Sequence, residues 1–186
     1  WVLLRAYGMK LLGKDLEKIC QPVYGAPPLV TEEFRNGRLD ACLNFWTYAA
    51  RLTTEGAKQL LTVDDIIKAL DVSPVPPLVG FVWSEQEVQA NGVSIEPLLA
   101  AVEDANQLLA TSDEAWERIK PLVKPFSDAE FVALREYFRS GVPGPWTQAE
   151  TASAGKLTQL LIELGDAELV GDGTRFDPNL FHTRTG

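Results

Sequence analysis

The sequence is poor in the residues on which most catalytic and metal centres are built. Its 186 residues include one histidine, His182, and two cysteines, Cys20 and Cys42. The cysteines lack the C-x-x-C spacing of zinc and thioredoxin-like sites, and His182 lies in the polar tail FHTRTG, where a solvated surface position is expected. We therefore predict no catalytic residues, no metal site and no cofactor, and an enzyme is disfavoured.

Positive charge is also scarce. Lysine and arginine total 17 against 26 aspartates and glutamates, which gives a net charge of −9. Without a basic stripe the chain repels phosphate backbones, so nucleic acid is not an expected partner. No apolar run approaches the roughly 18–20 residues that cross a bilayer. The sequence also lacks the G-x-G-x-x-G, Walker and G-x-S-x-G motifs.

The residues that are present predict a folded chain rich in helices. Hydrophobic residues make up 46% of the sequence, enough for a core. Gly13 and Gly37 follow periodic apolar stretches and mark helix ends. Three S/T-x-x-E pairs mark helix starts, namely Thr111 with Glu114, Ser127 with Glu130 and Thr147 with Glu150. The predicted helices are Trp1–Gly13, a helix entered through Pro27 and Pro28, Thr47–Gly56, Asp64–Leu70, Ile95–Ala110, Asp113–Val123, Asp128–Ser140 and Gln148–Leu164.

Short apolar runs between these helices predict strands. The runs are Lys18–Tyr24, Leu39–Phe45 and Leu78–Trp83. Helices that alternate with strands over short connections are typical of an α/β fold with a parallel sheet covered by helices. The prolines of SPVPP, residues 73–77, form either a stiff crossing between two halves or an ordinary surface loop. The last stretch, AELVGDGTRFDPNLF, is expected to end in a short extended arm.

The most informative stretch is GRLDACLNFWTYAARL, residues 37–52. Aromatic and polar side chains are concentrated where the predicted strand gives way to a helix, and ligands gather at such strand ends. Free backbone N–H groups of the helix's first turn would add donors at Thr47, Tyr48 and Ala49. The alternative is that Phe45 and Trp46 fill the core. Arg51 either reaches the ligand or pairs with a surface carboxylate. Trp116 and Trp146, at capped helix starts, are interpreted as structural.

Several stretches in this order resemble a known family. They are WVLLRAYGMKLLGKDL, PVYGAPPLVTEEFRNGRLDACLNFWTYAARL, PLVGFVWSE, ATSDEAWERIKPLV and ELVGDGTRF. They resemble the substrate-binding proteins of nitrate/sulfonate/taurine-type (NitT/TauT) ABC importers. The resemblance implies a type II periplasmic-binding-protein fold, with residues 1–77 as an incomplete second lobe and residues 78–186 as a crossover strand followed by helices that pack on both lobes. It places the ligand contacts of this lobe at Trp1, Tyr24, Gly25, Ala26, Asn44, Phe45, Trp46 and Thr47.

The resemblance also implies a function. The chain would be the solute-binding component of an importer, a periplasmic monomer that delivers its solute to an ABC permease in the membrane. The sequence NFWTY stands where many importers of small anions carry a Trp-Glu-Pro-like turn, which disfavours nitrate and taurine. A planar anionic or aromatic solute is expected instead, such as another sulfonate, a pyrimidine-like compound or pyrroloquinoline quinone.

Three further expectations accompany the resemblance. The family's strand order would separate Cys20 from Cys42 by about 10 Å, too far for a disulfide, so two free and buried thiols are expected. The opening WVLLRAYGMKLLGK, without an initiator methionine, suggests a fragment whose first lobe lies upstream. Two alternatives on the same fold are an enzyme similar to pyrimidine-precursor synthases, against which the isolated Cys42 and His182 argue, and the ligand-sensing domain of a transcription regulator.

Overall fold

A computed structural model describes residues 1–92, 94–165 and 175–182, and every regular element in these ranges is helical. No helix among them is long and apolar enough to cross a membrane. The helices are α1 (Val2–Leu12), α2 (Leu16–Ile19), α3 (Pro27–Arg35), α4 (Trp46–Thr54), α5 (Val63–Ala69), α6 (Glu85–Ala90), α7 (Glu96–Thr111), α8 (Asp113–Val123), α9 (Asp128–Ser140) and α10 (Gln148–Leu164), followed by a 3₁₀ turn at Pro178–Leu180.

Local end signals account for most of these boundaries. Helices α8, α9 and α10 have the predicted bounds. Gly13 ends α1 with φ 63°, a left-handed conformation that glycine adopts without strain. The Thr147–Glu150 pair forms both bonds of the predicted capping box.

The other two predicted capping pairs need correction. Helix α8 is capped by Ser112, whose hydroxyl accepts from the Ala115 N–H at 3.1 Å, whereas Thr111 is the last residue of α7. Ser127 does accept from the Glu130 N–H at 3.1 Å. The Glu130 carboxylate instead accepts from the Phe126 N–H at 2.8 Å, one residue before the cap.

The predicted α/β fold, with its type II parallel sheet, is wrong for the described residues, which contain no β-strand. Lys18 and Ile19 belong to α2, and the rest of Lys18–Tyr24 is irregular, as are Leu39–Phe45 and Leu78–Trp83. A strand needs a neighbour to pair its backbone groups, and a short apolar run cannot supply one by itself. The side chains of Val79 and Val82 are 89% and 95% exposed, so this run is not covered by other described residues.

The predicted C-terminal arm lies only partly within the described residues. Residues 166–174, which carry most of the quoted ELVGDGTRF and the start of the expected extended arm, lie outside the described residues. The arm's described end forms the 3₁₀ turn at Pro178–Leu180 rather than an extended run, because the Asp177 carboxylate accepts from the Asn179 N–H at 2.9 Å and caps the turn.

The chain divides into two compact units, each assembled from separated stretches. The first unit combines residues 1–26, 59–78 and 145–186, and the second combines residues 27–58 and 79–144. Helices α1, α2, α5 and α10 therefore belong to the first unit, and α3, α4 and α6–α9 belong to the second.

The first unit has an aliphatic core. Ile67, Val72 and Leu157 form its buried centre, and Leu3, Val75, Leu160 and Leu161 pack against them. Helices α1 and α2 meet closely at Gly8, where a Cβ would lie 2.7 Å from Leu16 Cγ. Only glycine leaves room for that approach.

The second unit has a core in which two rings, Trp116 and Phe131, lie among aliphatic residues. Helix α4 packs along α9, and α7 and α8 pack against each other and against α9. The buried apolar residues of this unit are Ala50, Leu52, Ala115, Trp116, Phe131 and Leu134.

Both cysteines are free thiols. Cys42 is half-buried, and burial raises the pKa of its thiol. Cys20 is exposed, so the expectation that both thiols are buried is wrong for Cys20. The reason is the same as for the strands: Cys20 ends α2 and lies outside any sheet that would cover it.

Candidate ligand-binding cleft

The floor of the candidate site is a set of edge-to-face rings on α8 and α9. The Trp116 ring meets Phe131 and Phe138 with centroid distances of 6.0 and 5.4 Å and interplanar angles near a right angle. The indole Nε1 of Trp116 donates to the Leu109 carbonyl at 2.7 Å, so the buried polar atom of this ring is satisfied. These contacts fix the position of Trp116.

A cleft of about 280 Å³ opens above this floor, within the second unit. Its volume lies just below the range of roughly 300–1,000 Å³ for small-molecule sites, which suits a ligand of one or two rings. Helices α4, α7, α8 and α9 provide its lining, which consists of Trp46, Thr47, Arg51, Leu109, Trp116, Ile119, Val123, Leu134 and Phe138.

The first turn of α4 forms one wall of the cleft. Trp46 begins this helix and meets Phe138 edge to face at 6.4 Å, while 44% of its surface stays exposed. The predicted free donors at Tyr48 and Ala49 are not free, because both N–H groups bond the Phe45 carbonyl at 3.0 Å. The wall therefore offers an aromatic face rather than a set of backbone donors.

Arg51 is one turn further along α4 and makes a buried ion pair. Its Nε donates to Glu130 Oε1 at 2.6 Å, and only 5% of the Glu130 side chain is exposed. The guanidinium also lies over the rings of Tyr48 and Phe126, 5.9 and 5.6 Å from their centroids. Of the two roles the sequence left open, pairing with a carboxylate is the one seen, although that carboxylate is buried and not on the surface.

The predicted residues around α4 have different positions. Trp46 and Thr47 line the cleft. Asn44 instead ties α3 to the start of α4: its amide nitrogen donates to Thr31 Oγ1 at 2.9 Å, and its amide oxygen accepts from the Phe45 N–H at 2.9 Å. Phe45 is 67% exposed and lies outside the lining.

The remaining predicted residues belong to the first unit. Trp1 precedes α1, and its indole Nε1 is buried without a hydrogen bond to any described residue. Tyr24, Gly25 and Ala26 are exposed in the irregular segment before α3. None of these four residues lines the cleft of the second unit.

Sequence reasoning missed most of the floor. Trp116, Ile119 and Val123 follow helical spacing on α8, and Leu134 and Phe138 lie one turn apart on α9. This spacing shows that each set shares a face, but a core face and a cleft face have the same pattern. The structural interpretation of Trp116 is therefore incomplete, because this ring both fills the core and floors the cleft.

The lining carries apolar surface, one hydroxyl and one guanidinium, with no carboxylate, thiol or imidazole. Among the described residues, no group of three or more histidine, cysteine, aspartate or glutamate side chains is arranged to hold a metal ion. Such a lining can bind and orient a ligand by ring contacts and one charged group.

No protein-family model matches this chain, and no curated protein matches it. The resemblance to importer components therefore depends on the quoted motifs, and a function has to be argued from the residues of the cleft.

Proposed function

We propose that the protein binds a small planar aromatic molecule in the cleft of the second unit. The observation that carries the proposal is the ring set itself, in which Phe138 meets both Trp46 and Trp116 edge to face beside a space of about 280 Å³. Water in so apolar a space finds few partners, so its replacement by an apolar ligand is favourable.

A planar ligand suits this lining better than a branched aliphatic one. Ring edges and faces attract other rings through their quadrupoles, which adds about 0.5–1.5 kcal/mol per aromatic pair to the burial of apolar area. Ile119, Val123 and Leu134 supply the flat aliphatic surface against which a ring can pack. Trp46 lines the cleft and keeps 44% of its surface exposed, so its ring is accessible to a ligand.

From the sequence resemblance we also propose a wider role, in which the protein delivers the bound solute to an ABC permease in a periplasmic setting. Its support is the order of the quoted motifs. Capture between two lobes of a type II fold is not part of this proposal, because the described residues form no sheet. The binding proposal depends on the cleft alone.

Isothermal titration calorimetry with naphthalene-2-carboxamide, a neutral two-ring probe, tests the binding proposal. We expect a single site, with Trp46→Ala weakening it by about tenfold because one ring wall is lost. The matched control is Trp146→Ala, which removes an indole that stacks on Phe181 in the first unit. Absence of binding up to about 1 mM, or equal weakening by both substitutions, would contradict the proposal.

A further inference from the structure

We propose that the ligands of this cleft are aromatic acids, and that Arg51 is the residue that selects them by binding their carboxylate or sulfonate. This inference depends on the proposed function, since it names the chemical class that the same cleft accepts. It rests on the way Arg51 is held and on the donors it has left over.

The guanidinium of Arg51 has N–H donors to offer a ligand. Arg51 lines the cleft, and 29% of its side chain is exposed. Glu130 takes only the Nε–H, while Nη1 and Nη2 form no hydrogen bond with other side chains in the described part of the chain. The free end of the guanidinium is a two-pronged donor with the geometry that a carboxylate or sulfonate accepts in bidentate fashion.

The guanidinium is also held in place before any ligand arrives. Glu130 is fixed at both oxygens, by Arg51 Nε at 2.6 Å and by the Phe126 N–H at 2.8 Å. The rings of Tyr48 and Phe126 flank the guanidinium. A donor that is already ordered loses little conformational entropy when it binds a ligand. Little of the binding free energy is therefore needed to offset that loss.

The rest of the lining reinforces this selectivity. An anionic group placed among Leu109, Ile119 and Val123 would lose its hydration without compensation, and such burial is costly. Lys120, which follows Ile119 on α8, is engaged with Asp128 at 2.8 Å and over the Phe131 ring at 4.7 Å. Arg51 is the charged residue of the lining, so it is the group that can compensate an acid in this cleft.

A matched pair of probes separates the charge from the rings. Naphthalene-2-carboxylate and naphthalene-2-carboxamide share shape and aromatic surface, and only the first has the anion. By isothermal titration calorimetry we expect the wild-type protein to bind the carboxylate at least about tenfold more tightly than the carboxamide.

The variant that tests Arg51 has to avoid an unpaired buried charge, because Arg51→Met alone would leave Glu130 without a partner. The double variant Arg51→Met/Glu130→Gln removes both charges and keeps an acceptor for the Phe126 N–H. We expect it to bind the carboxylate no better than the carboxamide, while carboxamide affinity stays within about twofold of wild type. The control is Arg118→Met, the same substitution at an exposed arginine of α8, which should change neither affinity.

The single variant Glu130→Gln adds a result that a purely structural role for Arg51 would not produce. It removes the negative charge beside the guanidinium, while the glutamine oxygen can still accept from Arg51 Nε and keep the guanidinium ordered, so carboxylate affinity should rise while carboxamide affinity holds. If wild type binds neither probe, the proposed function fails. If wild type binds both probes equally and Trp46→Ala weakens both, the proposal of binding in the cleft is supported and the assignment of Arg51 is overturned. Equal loss of both probes in the double variant would overturn it too.

Discussion

The two units bury different kinds of core, and their pockets differ in size: the cleft of the second unit holds about 280 Å³, whereas a pocket beside Arg5 and Asp15 in the first unit holds about 80 Å³. Ile67, Val72 and Leu157 in the first unit are at most 5% exposed and branched side chains dominate around them. In the second unit, Trp116 and Phe138 meet edge to face. Protein interiors reach the same packing density with either kind of side chain, so the cleft reflects how α4, α7, α8 and α9 are arranged rather than a looser core. A unit whose central contacts are between rings can therefore be stable and still offer a concave surface.

The units also use arginine differently. In the first unit, Arg5 donates to Asp15 through Nε at 2.9 Å and Nη2 at 2.8 Å, and Nη2 also lies 2.7 Å from Glu17. The protein's own carboxylates thus occupy one whole edge of this guanidinium and join α1 to the start of α2. In the second unit, Glu130 takes only the Nε of Arg51. The first arrangement is structural, and the second leaves Nη1 and Nη2 of a cleft-lining residue without a side-chain partner among the described residues.

The largest effect is expected from removing the central ring of the second unit. Trp116 is 3% exposed, so Trp116→Ala should lower the free energy of unfolding by about 3–5 kcal/mol through lost burial and a new cavity. Urea denaturation followed by circular dichroism measures the loss. Amide hydrogen exchange should speed up in α8 and α9 more than in α10. A loss below about 1 kcal/mol would mean that the rings are not the core of this unit.

The equivalent test of the first unit uses a single aliphatic residue. Ile67 is fully buried, and Ile67→Ala should lower the free energy of unfolding by about 2–5 kcal/mol. Ile19→Ala in the same unit is the matched control, because Ile19 is 55% exposed and its loss should stay within about 0.5 kcal/mol. Equal losses at the two positions in urea denaturation would show that this aliphatic core is not where the structure places it.

The distance along the chain over which a signal acts explains what the sequence could predict. The bounds of α8, α9 and α10 were predictable because capping by Ser127 or Thr147 involves residues at most three positions apart. The runs Leu39–Phe45 and Leu78–Trp83 were wrongly predicted as strands, since pairing depends on residues distant in sequence and β-propensity does not report them. Local signals therefore define helices here and give no information about a sheet.

The same limit applies to the candidate site. Trp46 and Thr47 were predicted from their position at a helix start, and they do line the cleft. Asn44, chosen on the same argument, satisfies its amide within the protein by bonding Thr31 and Phe45. Phe138 was missed because its contact with Trp46 joins α4 to α9, and no local pattern encodes that distance.

Substitutions that enlarge a side chain should cost more stability in the closed core of the first unit than beside the cleft of the second. Val72 is 1% exposed, so the extra methylene of Val72→Leu should force its neighbours apart and cost about 1–3 kcal/mol. Val123 lines the cleft, where Val123→Leu has room and should change the free energy of unfolding by less than about 0.5 kcal/mol. Urea denaturation of both variants makes the comparison. A cost at Val123 as large as that at Val72 would mean that the cleft is closed in solution.

The smallest effect concerns the ion pair of the first unit and appears only in acid. The hydrogen bond from Arg5 lowers the pKa of Asp15 to about 2, against an ordinary value near 3.9. Because the folded-state pKa is the lower one, the stabilisation is fully present above about pH 4 and is lost as the pH falls towards 2. Asp15→Asn removes the charge and keeps an N-cap acceptor for the Glu17 N–H, which Asp15 now bonds at 3.1 Å.

The gap in the free energy of unfolding between wild type and Asp15→Asn should therefore be widest near pH 5 and close towards pH 2, as urea denaturation at several pH values would show. Asp64→Asn, at an exposed carboxylate of α5 that makes no ion pair among the described residues, should keep the wild-type profile. A gap that stays constant with pH would assign the role of Asp15 to helix capping rather than to its charge. In that case Arg5 would have spare donors as Arg51 does, and the contrast between the two arginines would disappear.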